Sequence, residues 1–220
     1  MLRVNKIIVV AFFFSLFVLT SCSSLSHKSL PQSELVKFQG ATAVATKYKP
    51  ENFEILTAGN MAVGGMLGAV LGHDGNAVVK ENDIRDPAVS ISAKLVEKFK
   101  TTYAMKIVES DAVAKKDDLK ALVVTYPKVD YLIDVKTISW MAIYYPLDWT
   151  HYSSVYKSRL RIIDLNTSKV IAESVCLTNN TTDQNRPTYD QLIANKAAIL
   201  KAFLDKDAQQ CVDNFVADIF

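Results

Sequence analysis

Apolar and polar positions along this 220-residue chain change rhythm several times. Ile7 to Leu19 is apolar except for Ser15, and it follows Arg3 and Lys6. Residues 22–38 begin serine-rich and polar and read as a tether. Ala41 to Thr46, with β-branched Thr42, Val44 and Thr46, predicts a first strand, and Phe53 to Thr57 a short extended piece. Six of the seven glycines then lie between Gly59 and Gly75. Gly64, Gly68 and Gly72 fall four apart, so a helix over 59–75 carries them as one smooth stripe. Such a stripe suits tight packing within the domain, self-association or a shallow membrane contact.

Asp86-Pro87 predicts a helix start, with the aspartate as N-cap and the proline in the first turn. Ala88, Ile91, Leu95, Phe99 and Tyr103 share one face of that helix, opposite Lys94, Glu97, Lys98 and Lys100. Met105 to Val108 predicts a short strand and Asp111 to Leu119 a charged loop, while Lys120 to Tyr126 is ambiguous. Tyr131 to Trp140, Tyr152 to Asp164 and Lys169 to Cys176 predict three strands of an antiparallel meander, with turn residues from Asp164 to Ser168. Thr188 and Gln191 have capping-box spacing, predicting a helix through Leu204. A last helix from Asp207 carries Ala208, Cys211, Val212, Phe215 and Ile219 as an apolar stripe. The order predicts one α+β domain over 39–220, a mostly antiparallel sheet of about four or five strands with helices on one face.

The basic start, apolar run and small residues before Cys22 have the form of a secretory signal over 1–21. The apolar run is about 13 residues, short of the about 20 that a spanning helix needs. Leu19-Thr20-Ser21-Cys22 resembles a bacterial lipobox. That resemblance implies cleavage before Cys22, acylation of the cysteine and a palmitate-type anchor in the cell membrane. An ordinary cleaved signal and an uncleaved anchor are the alternatives. Ser23 stands where an aspartate often marks inner-membrane retention in that class, which favours the outer membrane, with the domain facing the periplasm.

Charge changes the picture once the signal is removed. The chain has 25 basic and 23 acidic residues, and loss of Arg3 and Lys6 leaves them balanced. No basic excess remains to grip nucleic acid. Of three cysteines, Cys176 and Cys211 form an even pair in an oxidising compartment, which predicts a disulfide; two buried thiols or a reactive thiol are the alternatives. No Cys/His cluster has metal-ligand spacing, and no phosphate loop or dinucleotide fingerprint occurs, so neither metal nor cofactor is expected.

The densest chemistry lies at Tyr144-Tyr145-Pro146-Leu147-Asp148-Trp149-Thr150-His151-Tyr152. Asp148, His151 and Ser153 supply the residue types of a hydrolase, but no nucleophile elbow accompanies them. An aromatic hairpin that packs or meets a partner is the stronger reading. The leading expectation is a non-enzymatic envelope adaptor that binds a protein partner or itself through Gly64, Gly68 and Gly72 or through Trp149, His151 and Tyr152. A lipid or small-ligand carrier with a groove between sheet and helices is the alternative, and a hydrolase at His151 the weakest.

Asp86-Pro87, Tyr131-Leu132-Ile133-Asp134-Val135 leading to Trp140, Tyr145-Pro146-Leu147-Asp148-Trp149, His151-Tyr152, Ile163-Asp164, Ala172-Glu173 and the Cys176/Cys211 pair together resemble a family of uncharacterised bacterial envelope lipoproteins. The resemblance spans most of 40–220. It implies no activity, because the family's role is unassigned. More loosely, the architecture is similar to the TolB amino-terminal domain and to curli-secretion lipoproteins, a likeness of fold that assigns no function.

Overall fold

The computed structural model of the chain describes residues 27–56, 75–126, 129–145, 147–180, 184 and 186–219. The signal, Cys22 and the stripe at Gly64, Gly68 and Gly72 lie outside the described residues.

The frame is the expected meander, with longer strands than the alternation indicated. β4 (Tyr131–Tyr145), β5 (Asp148–Asp164) and β6 (Lys169–Asn179) are consecutive antiparallel neighbours. The β5–β6 turn is closed by Asp164, whose Oδ1 accepts from Asn166 N at 2.8 Å and Thr167 N at 3.1 Å. Three short strands complete a six-stranded sheet: β1 (Thr42–Ala45), β2 (Phe53–Leu56) and β3 (Lys106–Ile107). β1 lies parallel to β3 and to β4, and β2 is parallel to β4 further along. The α+β class is therefore as expected, and the long pairings are antiparallel. The short parallel ones could not be read from alternation, which does not encode strand direction.

β1 and β2 share one edge of β4. β1 reaches Ile133 and β2 begins at Trp140, so residues 134–139 have no strand partner on that side among the described residues. The connecting chain loops outward and is pinned where Trp140 Nε1 donates to the Glu51 carbonyl at 2.8 Å.

α3 (Pro87–Tyr103) and α5 (Tyr189–Ile219) cover one sheet face; α1 (Gln32–Leu35), α2 (Gly75–Glu81) and α4 (Leu119–Thr125) are short. Asp86 caps α3, accepting from Ala88 N at 2.9 Å. The predicted stripe of α3 is the buried one: Ile91, Leu95 and Phe99 pack in the same core as Leu200, Leu204 and Phe215 of α5 and Ile133, Leu160 and Ile162 of the sheet. Each such side chain contributes about 1.5–3 kcal/mol of transfer free energy. α4 resolves the ambiguous 120–126 stretch as helix, capped by Asp118, and Leu122 and Tyr126 cover Leu132 and Ile163 on the opposite face. Gly75 opens α2 against β2, where a Cβ would fall 2.2 Å from the Phe53 carbonyl oxygen.

Two expectations need correction. The tether predicted over 22–38 gives way to docked chain by Lys28, which bridges to Glu173 on β6; Leu30 is buried and Phe38 sits edge-on to Phe99, Tyr103 and Tyr131. Two apolar side chains with core sites outweigh the polar composition around them. The helix break expected between Leu204 and Asp207 also moves. The Thr188/Gln191 capping box forms, but the path breaks at Ala194–Ala197, where Asn195, Lys196 and Ala197 have φ of 52°, 57° and 54°. Asp207, expected to open the last helix, lies inside α5. It is buried mid-helix, accepting from Asn180 Nδ2 at 2.5 Å.

Candidate functional site

The β4–β5 hairpin ends in the aromatic patch singled out above. Among the described residues, β2 pairs as far as Ile143 and β6 as far as Val155, and beyond them the hairpin meets only the 186–189 segment, which bridges to His151. Its register explains its shape. Tyr144 pairs with Tyr152 and Tyr145 with Asp148, so Trp149, Thr150 and His151 have no opposite residue on β4 and bulge outward.

Within the bulge, His151 Nδ1 lies 2.8 Å from Asp148 Oδ1 and Oδ2, and Thr150 Oγ1 donates to Asp148 Oδ1 at 2.9 Å. These bonds, with the histidine's first, lower the Asp148 carboxyl to about 2. The pair is solvent-accessible and short-range, and it orients the histidine ring. Trp149 is 58% exposed with its ring 6.0 Å from that of Tyr144. Leu147 is 99% exposed. It also has φ of 64°, a left-handed position that favours glycine or asparagine over a branched apolar residue.

Of the three tip residues expected to meet a partner, Trp149 and His151 are accessible. Tyr152 is not: it is buried, its ring 5.9 Å from Tyr189, and its N–H donates to the Pro187 carbonyl at 2.8 Å. The reason is the 186–189 segment, which lies along β5 and bridges His151 to Thr188. Tyr145 is buried as well, under the Arg186 guanidinium at 4.6 Å. Both tyrosines brace the tip from beneath. Ser153 lies inside the sheet with its hydroxyl unpartnered among the described residues, so Asp148, His151 and Ser153 form no connected relay. Among the described residues, no group of three or more His, Cys, Asp or Glu is placed to hold a metal ion, and no helix is long and apolar enough to cross a membrane.

The opposite end of the hairpin carries a cluster that residue types alone did not single out. Asp134 is fully buried on β4. Arg161 reaches it from β5, with Nε at 2.7 Å and Nη2 at 2.6 Å, and Tyr48 donates its hydroxyl at 2.6 Å. Burial, then the Asp134 charge, raises the Tyr48 hydroxyl well above the usual range. Asp117 joins the cluster through Arg159 at 3.0 Å and Lys136 at 3.3 Å, and these cations hold its carboxyl low against the opposing effect of burial. The signal in the sequence was the charged face of β4 and β5 shared by Asp134, Lys136, Arg159 and Arg161. Two register shifts hid which charges meet: Asp134 pairs with Arg161 only because the hairpin bulges near Thr137 and near the tip.

Cys176 on β6 and Cys211 on α5 form a disulfide with Cα atoms 5.4 Å apart, joining sheet to helix layer across 35 residues.

No protein-family model matches the chain, and no curated protein matches it. Among solved structures, it is similar to a neuraminyllactose-binding hemagglutinin homologue of Helicobacter pylori, with 9% identity, 82% of this chain and 83% of that one covered, and a TM-score of 0.42. A hypothetical protein of Chlamydia trachomatis shows 10% identity over 80% of this chain and 94% of its own, with a TM-score of 0.39. The lipoprotein GNA1162 of Neisseria meningitidis shows 13% identity over 80% and 98%, with a TM-score of 0.30. At these values nothing of what those proteins do transfers to this chain.

Proposed function

We propose that the chain is a membrane-anchored lipoprotein of the bacterial envelope, held by lipid on Cys22 at the periplasmic side of the outer membrane, and that its domain is a non-enzymatic adaptor. Its contact surface is the hairpin tip, where Leu147 and Trp149 present apolar area and the oriented His151 a polar group beside it. The partner is a protein, or a second copy of the chain.

Leu147 is the observation that carries this reading. A leucine in a left-handed turn, almost fully in water, gains nothing locally: glycine would relieve the backbone and a polar residue would be better solvated. Positions that break a local rule without local compensation are where function is expected. Aromatic anchors on a rigid, braced scaffold are also the usual centre of protein interfaces. A photo-crosslinking residue at 147 in intact cells is expected to trap a partner or a dimer. Adducts to neither, with the protein folded and abundant, remove the proposal. Intact-mass analysis of the native molecule tests the anchor separately, and an unmodified thiol at Cys22 overturns it.

A further inference from the structure

The unpartnered stretch of β4 opens a cavity of about 370 Å³ on the α3 side of the sheet, of a size suited to small ligands. Ala88, Val89 and Val96 of α3 wall it on one side, Val108 beyond β3 on another, and Val135 and Thr137 form its floor. Val89 and Val108, at 60% and 44% exposure, are apolar side chains left open to water at this cavity.

Among the described residues, two carboxylates of this lining have no ion pair: Glu109, which is exposed, and Asp86, which is partly buried. Asp86 uses Oδ1 for both of its hydrogen bonds, from Ala88 N and from the Thr137 hydroxyl, which also contacts the Tyr156 hydroxyl at 2.9 Å. Among the described residues no ion pair joins Asp86 to a cation. The nearby lysines are engaged or distant: Lys136 lies 3.3 Å from both Glu51 and Asp117, Lys47 lies 3.5 Å from Asp111, and Lys49 is exposed at the rim. A carboxyl beside apolar walls, without a counter-ion, is complementary to a cation that brings its own apolar body.

We infer that this cavity binds a small amphiphilic amine, its ammonium on the free oxygen of Asp86 and its apolar or aromatic body against the valines of α3 and β4. Burial, with a smaller effect of the Glu51 charge, raises the Asp86 carboxyl from its ordinary value, and the positive charge of a bound ammonium acts in the opposite direction. The site is independent of the lipid anchor and of the hairpin tip.

Three probes of one shape separate the contributions in titration calorimetry on the full-length protein: 2-phenylethylamine, 2-phenylethanol and 3-phenylpropionate. The amine is expected to bind at least about tenfold more tightly than the alcohol, equivalent to about 1.4 kcal/mol. Asp86→Asn preserves the N-cap, because asparagine caps as well as aspartate, and is expected to bring amine and alcohol together. Ser92→Trp, which fills the cavity from α3, is expected to abolish binding of both while the unfolding midpoint stays close to wild type. Equal binding of amine and alcohol by the wild type, tighter binding of the carboxylate, an unchanged amine affinity in Asp86→Asn, or no binding of any probe overturns the inference. Tighter carboxylate binding would assign the site to an anion held by the rim lysines.

Discussion

The two ends of the β4–β5 hairpin each hold a carboxylate against a nitrogen-bearing side chain, and the contacts differ in kind. Asp134 and Arg161 meet across strands, 27 residues apart in sequence and out of water. Asp148 and His151 meet within one bulge, three residues apart and at the surface. A buried pair whose partner is removed leaves a desolvated charge, whereas an exposed contact is weakened by water and screened by salt. The comparison teaches that one end of the hairpin is locked and the other is presented. The Asp134 cluster clamps the 46–52 loop and the chain around Asp117 to the sheet, and the bulge at the tip holds side chains out from it.

The largest effects should fall at the locked end. Arg161→Ala is expected to lower stability by about 3–5 kcal/mol in urea unfolding, while the double variant Asp134→Leu/Arg161→Met recovers most of that loss. A single variant close to wild type would mean the end is not locked by charge. Next comes the crosslink between the layers. Cys176→Ser is expected to cost about 3–4 kcal/mol from the loop it no longer closes in the unfolded chain, and a smaller loss would locate the stability in packing alone.

A third test uses pH. Burial raises the Asp207 carboxyl above its ordinary 3.8, against the hydrogen bonds of Ser154, Thr178 and Asn180. As pH rises, the unfolded chain releases this proton before the folded one does. The stabilising contribution is therefore full below about 3.8 and is lost as pH climbs through the higher native value. Asp207→Asn is expected to flatten the fall in stability over that window. An unaltered slope would show that Asp207 ionises normally in the fold. The smallest stability effects belong to the presented end. Trp149→Ala is expected to stay within about 0.5 kcal/mol of wild type, and Leu147→Gly to shift stability by about 1 kcal/mol or less, in the stabilising direction. Trp149→Ala should nonetheless abolish cross-linking from position 147, and Leu147→Gly cross-linking from a photo-crosslinking residue at position 150. A large stability loss from either would make the tip part of the scaffold and dissolve the contrast.

How far the sequence could be read differed between these regions for physical reasons. The α3 stripe, its Asp86 cap, the meander and the Thr188/Gln191 box depend on neighbours a few residues apart, and all were legible. The accessible Trp149 and His151 were also legible, as an aromatic run at a turn. Tyr152 was not separable from them, because its burial comes from a segment more than thirty residues later that lies across β5. Phe38 was lost in polar surroundings for the same reason, since the surface that receives it belongs to α3 and β4, and Leu30 likewise reaches a core built by distant elements. Asp207 had the residue type of a cap, and only the polar floor beneath α5 turns it into a buried acid.

Period, capping and turn chemistry are local, so the amino-acid order alone determined where α3 and the three long strands lie, which face of α3 turns inward and that two strands fold back on a third. Register and direction are not local. The two bulges that bring Asp134 to Arg161 and lift Trp149 into water, the parallel placement of β1 and β2, and the gap between them that makes the Asp86 cavity arise only when distant segments compete for the same hydrogen-bonding edges and the same apolar surface.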